Sequence, residues 1–333
     1  MASTRVWYPG RIGLLGEHCD WAGGASLTAP TPMGIEVEAE SAREGVLVRS
    51  DLDGQLLEHH FCIERGTSTA GPLRFIPAII DHLIELGLNL VPAEVWIRSD
   101  LPSGRGLSSS AAFTLSVTDA WTRLSGHEMT SLELAEAAYQ IEHRHLGVAC
   151  GRLDPVACAA ARPLMLHWDP SGALLRTTPV NPIGTFHLVV AVAESPRNTS
   201  LILQTLNQAY RTPIGDHQGD AVREAIAEFG AASERGARAL QMGDAPALGR
   251  SMNDVQRIYD VNLAANLPPL YAPTLKEIID FMNAKNSLGA KFSGAGGGGS
   301  VVALFTDQST ARGAAIELEQ RGLSAWYIPL NAV

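Results

Sequence analysis

The stretch from Leu101 to Ala112, LPSGRGLSSSAA, constrains this chain most, because in it a strand-like run meets a helix across a loop of glycine and serine. The apolar run Val95–Ile97 precedes it, and small and apolar residues follow from Ala111 to Trp121. Free backbone N–H groups and the positive end of the helix dipole converge at such a junction, which makes it a natural phosphate site. The loop lacks the Gly-Lys-Ser/Thr ending of a Walker A loop. An ordinary serine-capped helix after a turn is the alternative interpretation.

Length and charge limit the classes of function. The 333 residues, 46% hydrophobic and 18% charged, suffice for one large domain or two ordinary ones with an ample core. The formal net charge of −10 argues against nonspecific binding to nucleic acid or anionic membranes, which needs clustered lysine and arginine. The cysteines form no CxxC pair and the N-terminus lacks an apolar signal-peptide core, so we expect reduced thiols in a cytoplasmic protein with small-molecule partners.

A second dense stretch, PGRIGLLGEHCDWAGG, lies near the N-terminus and places Arg11, Glu17, His18 and Asp20 among glycines and a tryptophan. Polar side chains beside flexible backbone are typical of small-molecule sites, where carboxylates and imidazole bind hydroxyls. A polar loop between two strands is the alternative.

Two features follow the central helix region. The pattern of residues 131–146 predicts a helix, and we interpret His143, Arg144 and His145 as partners of its negative dipole end rather than as a metal site. Asp154 then precedes a proline at the start of a small-residue helix, where the local sequence favours an N-cap and a general base is the alternative.

The third motif is the glycine loop of KFSGAGGGGS, residues 291–300. It matches GxGxxG, but a strand follows it rather than a helix, which argues against a dinucleotide-binding protein. So many glycines suit close backbone approach by a neighbour or a ligand.

The order of strand and helix patterns predicts a mixed α/β (α+β) chain. Strands and helices alternate in the first half, helices dominate next (one of them over residues 246–260), and strands and one helix close the chain. We therefore predict an N-terminal domain over 1–182 and a C-terminal domain over 183–333.

The three motifs, taken in order, resemble the signatures of the GHMP kinases, which include galactokinase, homoserine kinase, mevalonate kinase and phosphomevalonate kinase. The galactokinase branch is most similar. Its Arg-x-x-x-x-Gly-Glu-His-x-Asp pattern is present from Arg11 to Asp20, and its Cys-Gly-x-x-Asp pattern from Cys150 to Asp154. The resemblance implies a two-lobed fold, whose N-terminal lobe has a left-handed βαβ crossover, an exception to the usual handedness. The C-terminal lobe would be ferredoxin-like.

The resemblance also implies an ATP- and Mg²⁺-dependent sugar kinase that phosphorylates the anomeric hydroxyl. We expect a monomer or a homodimer. Asp154 would take the hydroxyl proton and Arg11 would stabilise the developing charge. Ser110 and Glu142 would hold Mg²⁺. The implied substrate-binding residues are Glu17, His18, Asp20 and Gly296, and the implied ATP-phosphate-binding residues are Gly104, Gly106, Leu107, Ser108, Ser109, Ser110 and Ala111.

Departures from the family pattern concern the substrate. Trp21 stands where galactokinases typically have tyrosine, and Arg152 replaces an apolar residue two before the base. Arg152 would recognise an anionic substrate or lie at the surface. A kinase of a non-sugar alcohol is an alternative, although mevalonate kinases usually carry lysine at the position of Arg11 and homoserine kinases lack the aspartate base. A non-catalytic sugar sensor is another, although such proteins lose part of the motif that is intact here as Ser109-Ser110-Ala111.

Overall fold

The computed structural model describes residues 2–52, 54–63, 71–148, 150–193 and 198–331, and these divide into two compact units. The first unit comprises Met1–Arg11 and Pro30–Ala161, and the second comprises Ile12–Ala29 and Arg162–Val333. The boundary predicted between residues 182 and 183 stays a prediction.

The strands follow the predicted runs closely, except that the second, Gly24–Ser41, begins well before the run predicted over residues 34–40. They are β1 (Ser3–Leu15), β2 (Gly24–Ser41), β3 (Val46–Leu52), β4 (Gln55–Phe61), β5 (Ala93–Ser99), β6 (Leu164–Trp168), β7 (Leu174–Pro179), β8 (Phe186–Ala193), β9 (Gly289–Ser293), β10 (Gly299–Phe305) and β11 (Ser324–Leu330).

Apart from the short helix Cys19–Ala22, which no pattern predicted, the helices lie where the sequence patterns indicate them. Within the described ranges none is both long and apolar enough to cross a membrane. They are α1 (Cys19–Ala22), α2 (Phe75–Glu85), α3 (Ser109–Leu124), α4 (Ser131–Gln140), α5 (Leu153–Ala160), α6 (Thr199–Tyr210), α7 (His217–Met242), α8 (Ala245–Ile258), α9 (Pro273–Ala284) and α10 (Gln308–Gln320).

The sheet of the first unit has the order β4-β3-β5-β2, with β1 paired to β2. Strand β3 runs parallel to β5, so the chain between them must cross over, and it does so through β4 and α2. Helix α2 buries Ile76, Ile79 and Leu83, which recur at helical spacing on one face.

The second unit contains a four-stranded antiparallel sheet in the order β11-β8-β10-β9. Numbered along the chain this is the strand order 4-1-3-2 of a ferredoxin-like fold, as the resemblance implied. Strand β8 pairs with β11 along one edge and with β10 along the other. Its residues are buried on both faces apart from His187, so the strand is a nearly continuous apolar run. The same unit contains β6, β7 and the first part of β2, Gly24–Thr28.

Two predicted helices change their hydrogen-bonding pattern near the end. The helix predicted over 131–146 is α only to Gln140 and continues as a π-helix, Ile141–His145. The helix predicted over 246–260 likewise passes from α8 into a π-helix, Tyr259–Ala264. Side-chain periodicity is similar in α- and π-turns over one turn, so the sequence pattern does not separate them. Such π-segments are rare and are frequent at functional sites.

Glycine permits close packing of α8 on β9, and this generates a stability prediction. A Cβ at Gly249 would lie 2.5 Å from the Leu288 carbonyl oxygen, whereas a Cβ at Gly313, inside α10, would meet nothing within 4 Å. We expect Gly249→Ala to lower the free energy of unfolding by about 1–3 kcal/mol through overpacking. The matched control Gly313→Ala should raise it by about 0.5–1 kcal/mol. Urea unfolding measures both, and equal effects would contradict the close approach.

Candidate functional site

The glycine-serine loop enters α3 through a series of left-handed residues. Gly104 and Gly106 have φ of 68° and 76°, and Ser108, at the N-cap of α3, has φ of 62°. A left-handed serine is strained, and such strain is concentrated at binding loops. The Ser108 hydroxyl oxygen is buried, and no atom of the described residues hydrogen-bonds to it. The loop therefore presents backbone N–H groups and a serine hydroxyl at a helix N-terminus, as a phosphate site requires.

Strand β1 is attached to this loop through Gly10 and Arg11. The Arg11 backbone N–H donates to the Leu107 carbonyl at 3.0 Å, and its guanidinium donates to the Gly106 carbonyl at 3.4 Å. A Cβ at Gly10 would lie 2.5 Å from the same Leu107 oxygen, so only glycine permits the approach. Backbone and side-chain hydrogen bonds therefore hold Arg11 directly against the loop.

The Arg11 guanidinium also binds the Asp154 carboxylate, through Nε at 2.8 Å and through Nη2. The arginine side chain is 11% exposed and the aspartate 39% exposed. Helix α5 begins at Leu153 and Arg152 occupies its N-cap position, so the N-cap interpretation of Asp154 is wrong. The Asp154 carboxylate is instead partly exposed. The charged Arg11 guanidinium, which can donate two hydrogen bonds at once, orients it.

Glu142, in the π-helix 141–145, is a second carboxylate of this group and is 7% exposed. Burial, and next the negative charge of Asp154, raise the pKa of Glu142 to about 7, while the Ser110 side chain and Arg74 act in the opposite direction. A divalent cation would offset both unfavourable effects. The Glu142 carboxylate and the Ser110 hydroxyl offer oxygen atoms, the ligand type that Mg²⁺ prefers, so these residues fit a magnesium ion.

In the second unit, Glu17 forms a buried ion pair with Lys291 of β9. The side chains are 4% and 0% exposed, and the Lys291 ammonium also donates to the Phe292 carbonyl. The other carboxylate oxygen of Glu17, Oε2, is buried and has no hydrogen-bond partner among the described residues. Buried polar atoms are normally paired, so this oxygen is suited to a donor that a ligand supplies.

His18 lies next to Glu17 in a left-handed conformation, with φ of 68°. The Trp21 indole N–H donates to His18 Nδ1 at 3.3 Å, and the Trp21 ring packs edge-on against Tyr210 with centroids 5.5 Å apart. Burial lowers the pKa of His18 to about 4 and outweighs a hydrogen bond with the Ala295 backbone, which raises the pKa. The nearby Lys291 charge lowers it further. The ring is therefore neutral near pH 7, with Nδ1 as acceptor and the proton on Nε2. Asp20, in α1, is partly exposed.

The glycine loop of residues 294–299 packs against the π-helix 259–264. The Gly297 N–H donates to the Tyr259 hydroxyl at 2.8 Å, and that hydroxyl donates to the Leu270 carbonyl at 2.6 Å. A Cβ at Gly296 would lie 2.7 Å from the Tyr259 ring, and one at Gly297 would lie 2.4 Å from the Pro269 carbonyl. These glycines are required by a neighbour inside the unit, one of the two reasons the sequence allowed.

Arg152 is occupied within the first unit. Its guanidinium donates to Glu136 through Nε at 2.7 Å and Nη2 at 3.0 Å, and it lies over the Tyr139 ring at 4.0 Å. Its charge is thus balanced by a carboxylate of the same chain.

Comparisons with known proteins agree with this geometry. The family model for the GHMP kinases N terminal domain matches residues 74–162, and the model for the GHMP kinases C terminal matches residues 236–322. The chain belongs to the GHMP kinases. A mevalonate kinase of Aeropyrum pernix is 24% identical over 93% of this chain and 91% of its own length, and a galactokinase of Roseiflexus is 27% identical over 90% and 83%. A Lactococcus lactis galactokinase complexed with galactose superposes with a TM-score of 0.77 at 19% identity, covering 99% of this chain and 94% of that one.

The sequence patterns of this GHMP kinase indicate no role for Lys291, Tyr210 or Tyr259. A signal for Lys291 is present, because it interrupts a fully buried strand and a buried lysine requires a partner. Tyr210 and Tyr259 end or follow amphipathic helices, where tyrosine is ordinary, and nothing in the local pattern marks them.

The buried ion pair generates a stability prediction. Lys291→Met leaves the Glu17 charge uncompensated in the interior, so we expect a loss of about 3–5 kcal/mol in the free energy of unfolding. The double variant Glu17→Gln/Lys291→Met should recover much of it. The control Lys276→Met removes an exposed pair with Asp280 and should cost about 0–1 kcal/mol. Chemical denaturation of the wild type and the three variants measures these effects. Equal stability of Lys291→Met and Lys276→Met would refute the buried pair.

The pKa of His18 generates a pH prediction. Because its folded-state pKa, about 4, lies below the ordinary 6.5, the unfolded chain binds the proton first. The contribution of neutral His18 to the free energy of unfolding is therefore fully present above about pH 6.5. It is lost as the pH drops from there towards 4, by about 3 kcal/mol at most. His18→Asn tolerates the left-handed conformation and should show a shallower acid loss. Unfolding measured at several pH values, with His143→Asn as an exposed control, tests this, and parallel curves for all three proteins would contradict it.

Proposed function

We propose that this GHMP kinase transfers the γ-phosphoryl group of ATP, with Mg²⁺, to a sugar hydroxyl, the anomeric one, and acts in the cytoplasm. The observation that carries the proposal is the Arg11–Asp154 pair, attached through Arg11 to the backbone of the phosphate loop at Gly106 and Leu107. Such an arrangement supplies a base, a fixed positive charge and a phosphate cradle in one unit, and positioning with charge neutralisation accounts for most phosphoryl-transfer catalysis.

Each group has one role in the proposed reaction. The Asp154 carboxylate accepts the proton of the sugar hydroxyl as its oxygen forms a bond to the γ-phosphorus, and the bond from that phosphorus to the β,γ-bridging oxygen breaks to release ADP. Arg11 orients the carboxylate and stabilises the negative charge that develops. The backbone N–H groups of the loop hold the phosphates, while Ser110 and Glu142 would hold Mg²⁺, which neutralises phosphate charge when bound.

We further propose that Glu17, His18, Asp20 and Gly296 define the sugar subsite. The buried Glu17 Oε2 accepts from a hydroxyl and the buried His18 Nε2 donates to one, so a polyol satisfies both atoms that the described protein leaves unpaired. Two observations support a neutral sugar over an anionic one. Arg152 is already paired with Glu136, and Lys291 is already paired with Glu17.

A kinase of a non-sugar alcohol is the second candidate, because the mevalonate kinase of Aeropyrum pernix aligns over 93% of this chain. Arg11 favours the sugar kinase, since mevalonate kinases usually carry lysine there. A non-catalytic sensor is disfavoured by the complete set of Ser110, Glu142 and Asp154.

The test is ADP release with Mg²⁺-ATP over a panel of free hexoses, uronic acids, sugar phosphates and mevalonate. We expect turnover of a neutral hexose, and Arg152→Ala should then leave the preference among substrates unchanged. Turnover of mevalonate alone would select the second candidate. Sugar binding without turnover of any panel member would overturn the kinase proposal.

The role of Asp154 generates a kinetic prediction. Asp154→Asn keeps the shape of the side chain but cannot accept the proton, so kcat should fall by roughly 10²–10⁴-fold while calorimetric sugar binding persists. Asp280→Asn, an exposed change outside the proposed site, is the matched control and should retain wild-type turnover. Activity of the Asp154 variant equal to that of the control would show that Asp154 is not the base.

A further inference from the structure

Two histidines and a glutamate meet in the first unit outside the proposed phosphoryl-transfer group. His82 and Glu85 lie one turn apart near the end of α2, and His145 is the last residue of the π-helix 141–145. One nitrogen or oxygen atom of each lies within 4.8 Å of those of the other two. Residues three apart on a helix share a face, so α2 presents an imidazole and a carboxylate together to the π-helix.

His82 behaves like an unfilled ligand rather than an ordinary core histidine. It is 6% exposed, and its Nδ1 is buried with no hydrogen-bond partner in the part of the chain that the structure describes. The His82 and His145 rings meet edge-on with centroids 5.3 Å apart. Imidazole is a common metal ligand and binds through either ring nitrogen.

We propose that His82, Glu85 and His145 bind one transition-metal ion of the Zn²⁺ class, separate from the magnesium proposed at Ser110 and Glu142. Two imidazoles and one carboxylate form a common protein ligand set for zinc, with water in the fourth position. Imidazole nitrogen is a good ligand for zinc, cobalt and nickel, whereas Mg²⁺ prefers oxygen ligands. The ligand chemistry thus separates the two metal sites.

The surroundings of Glu85 are compatible with this role. Glu85 Oε2 lies 3.6 Å from His145 Nε2 and also binds the Arg144 guanidinium. A carboxylate has enough lone pairs for an arginine and a metal at once, and a charged partner that orients a metal-binding carboxylate is a common outer contact. The site goes beyond the helix-dipole role that the sequence indicates for Arg144 and His145.

The consequence is a metal clamp between α2 and the π-helix. Glu142 lies in the same π-helix as His145, three residues before it, so the ion would hold the segment that carries the proposed magnesium ligand. The clamp itself does not depend on the proposed function, because its binding and its effect on stability are measurable without ATP or sugar.

The test is a titration of chelator-treated protein with Co²⁺ and then Zn²⁺, in excess Mg²⁺ to occupy oxygen-only sites. We expect a visible Co²⁺ absorption band that saturates at a single equivalent, is displaced by Zn²⁺ and persists in excess Mg²⁺. Thermal unfolding should shift upward with Zn²⁺. Absence of the band, or its loss in excess Mg²⁺, would overturn the proposal.

Variants locate the site. Glu85 is exposed, so Glu85→Gln should fold and should weaken Co²⁺ binding by at least about 10–100-fold, the loss that removal of even an outer partner brings. His145→Gln should do the same. His143→Gln is the matched control. That exposed histidine lies in the same π-helix and stacks on Tyr139 of α4, and among the described residues it belongs to no cluster of metal-ligating side chains. Equal Co²⁺ affinity in all three variants and the wild type would assign the binding elsewhere and contradict the proposal.

Discussion

The contacts of Arg11 are the constraint on which the proposed chemistry of the first unit depends. One side chain binds the Asp154 carboxylate and the Gly106 carbonyl, while the backbone of the same residue binds Leu107. A guanidinium stays charged at any accessible pH and offers a rigid fork of donors, so it orients a carboxylate and supplies positive charge together. Arg11 is largely buried and Asp154 is partly exposed, so the proposed base, rather than the cation, is open to a substrate.

Charge is distributed differently in the two units. In the first, Glu142 and Asp154 are close enough for the charge of one to raise the pKa of the other, which favours the arrival of a cation. In the second, the Glu17 charge is already balanced by Lys291, and the atoms left unpaired are single hydrogen-bonding positions on Glu17 and His18. The first pattern suits metal and phosphate, and the second suits neutral hydroxyls. This difference is the physical basis of the sugar-kinase proposal.

Much of this fold could be predicted from sequence, because local patterns determine it. The strand expected after the glycine loop is β10, and the strand-loop-helix junction before α3 follows from glycine, serine and apolar spacing. The ion pair between Glu17 and Lys291 could not be predicted, since its partners are far apart in the chain. The π-helices were missed because one turn of apolar periodicity does not distinguish them from α-helix. The requirement for glycine in the loop that packs against Tyr259 depends on tertiary packing, which no local sequence pattern shows.

The most direct test of the central claim is the identity of the bond that forms. The product of a neutral hexose that supports ADP release would be examined by phosphorus NMR, with correlation to sugar protons. We expect a phosphomonoester whose phosphorus couples to the anomeric proton, formed only with ATP and Mg²⁺. Inorganic phosphate as the only phosphorus product besides ADP would contradict it, because the Arg11–Asp154 pair would then activate water rather than a sugar hydroxyl.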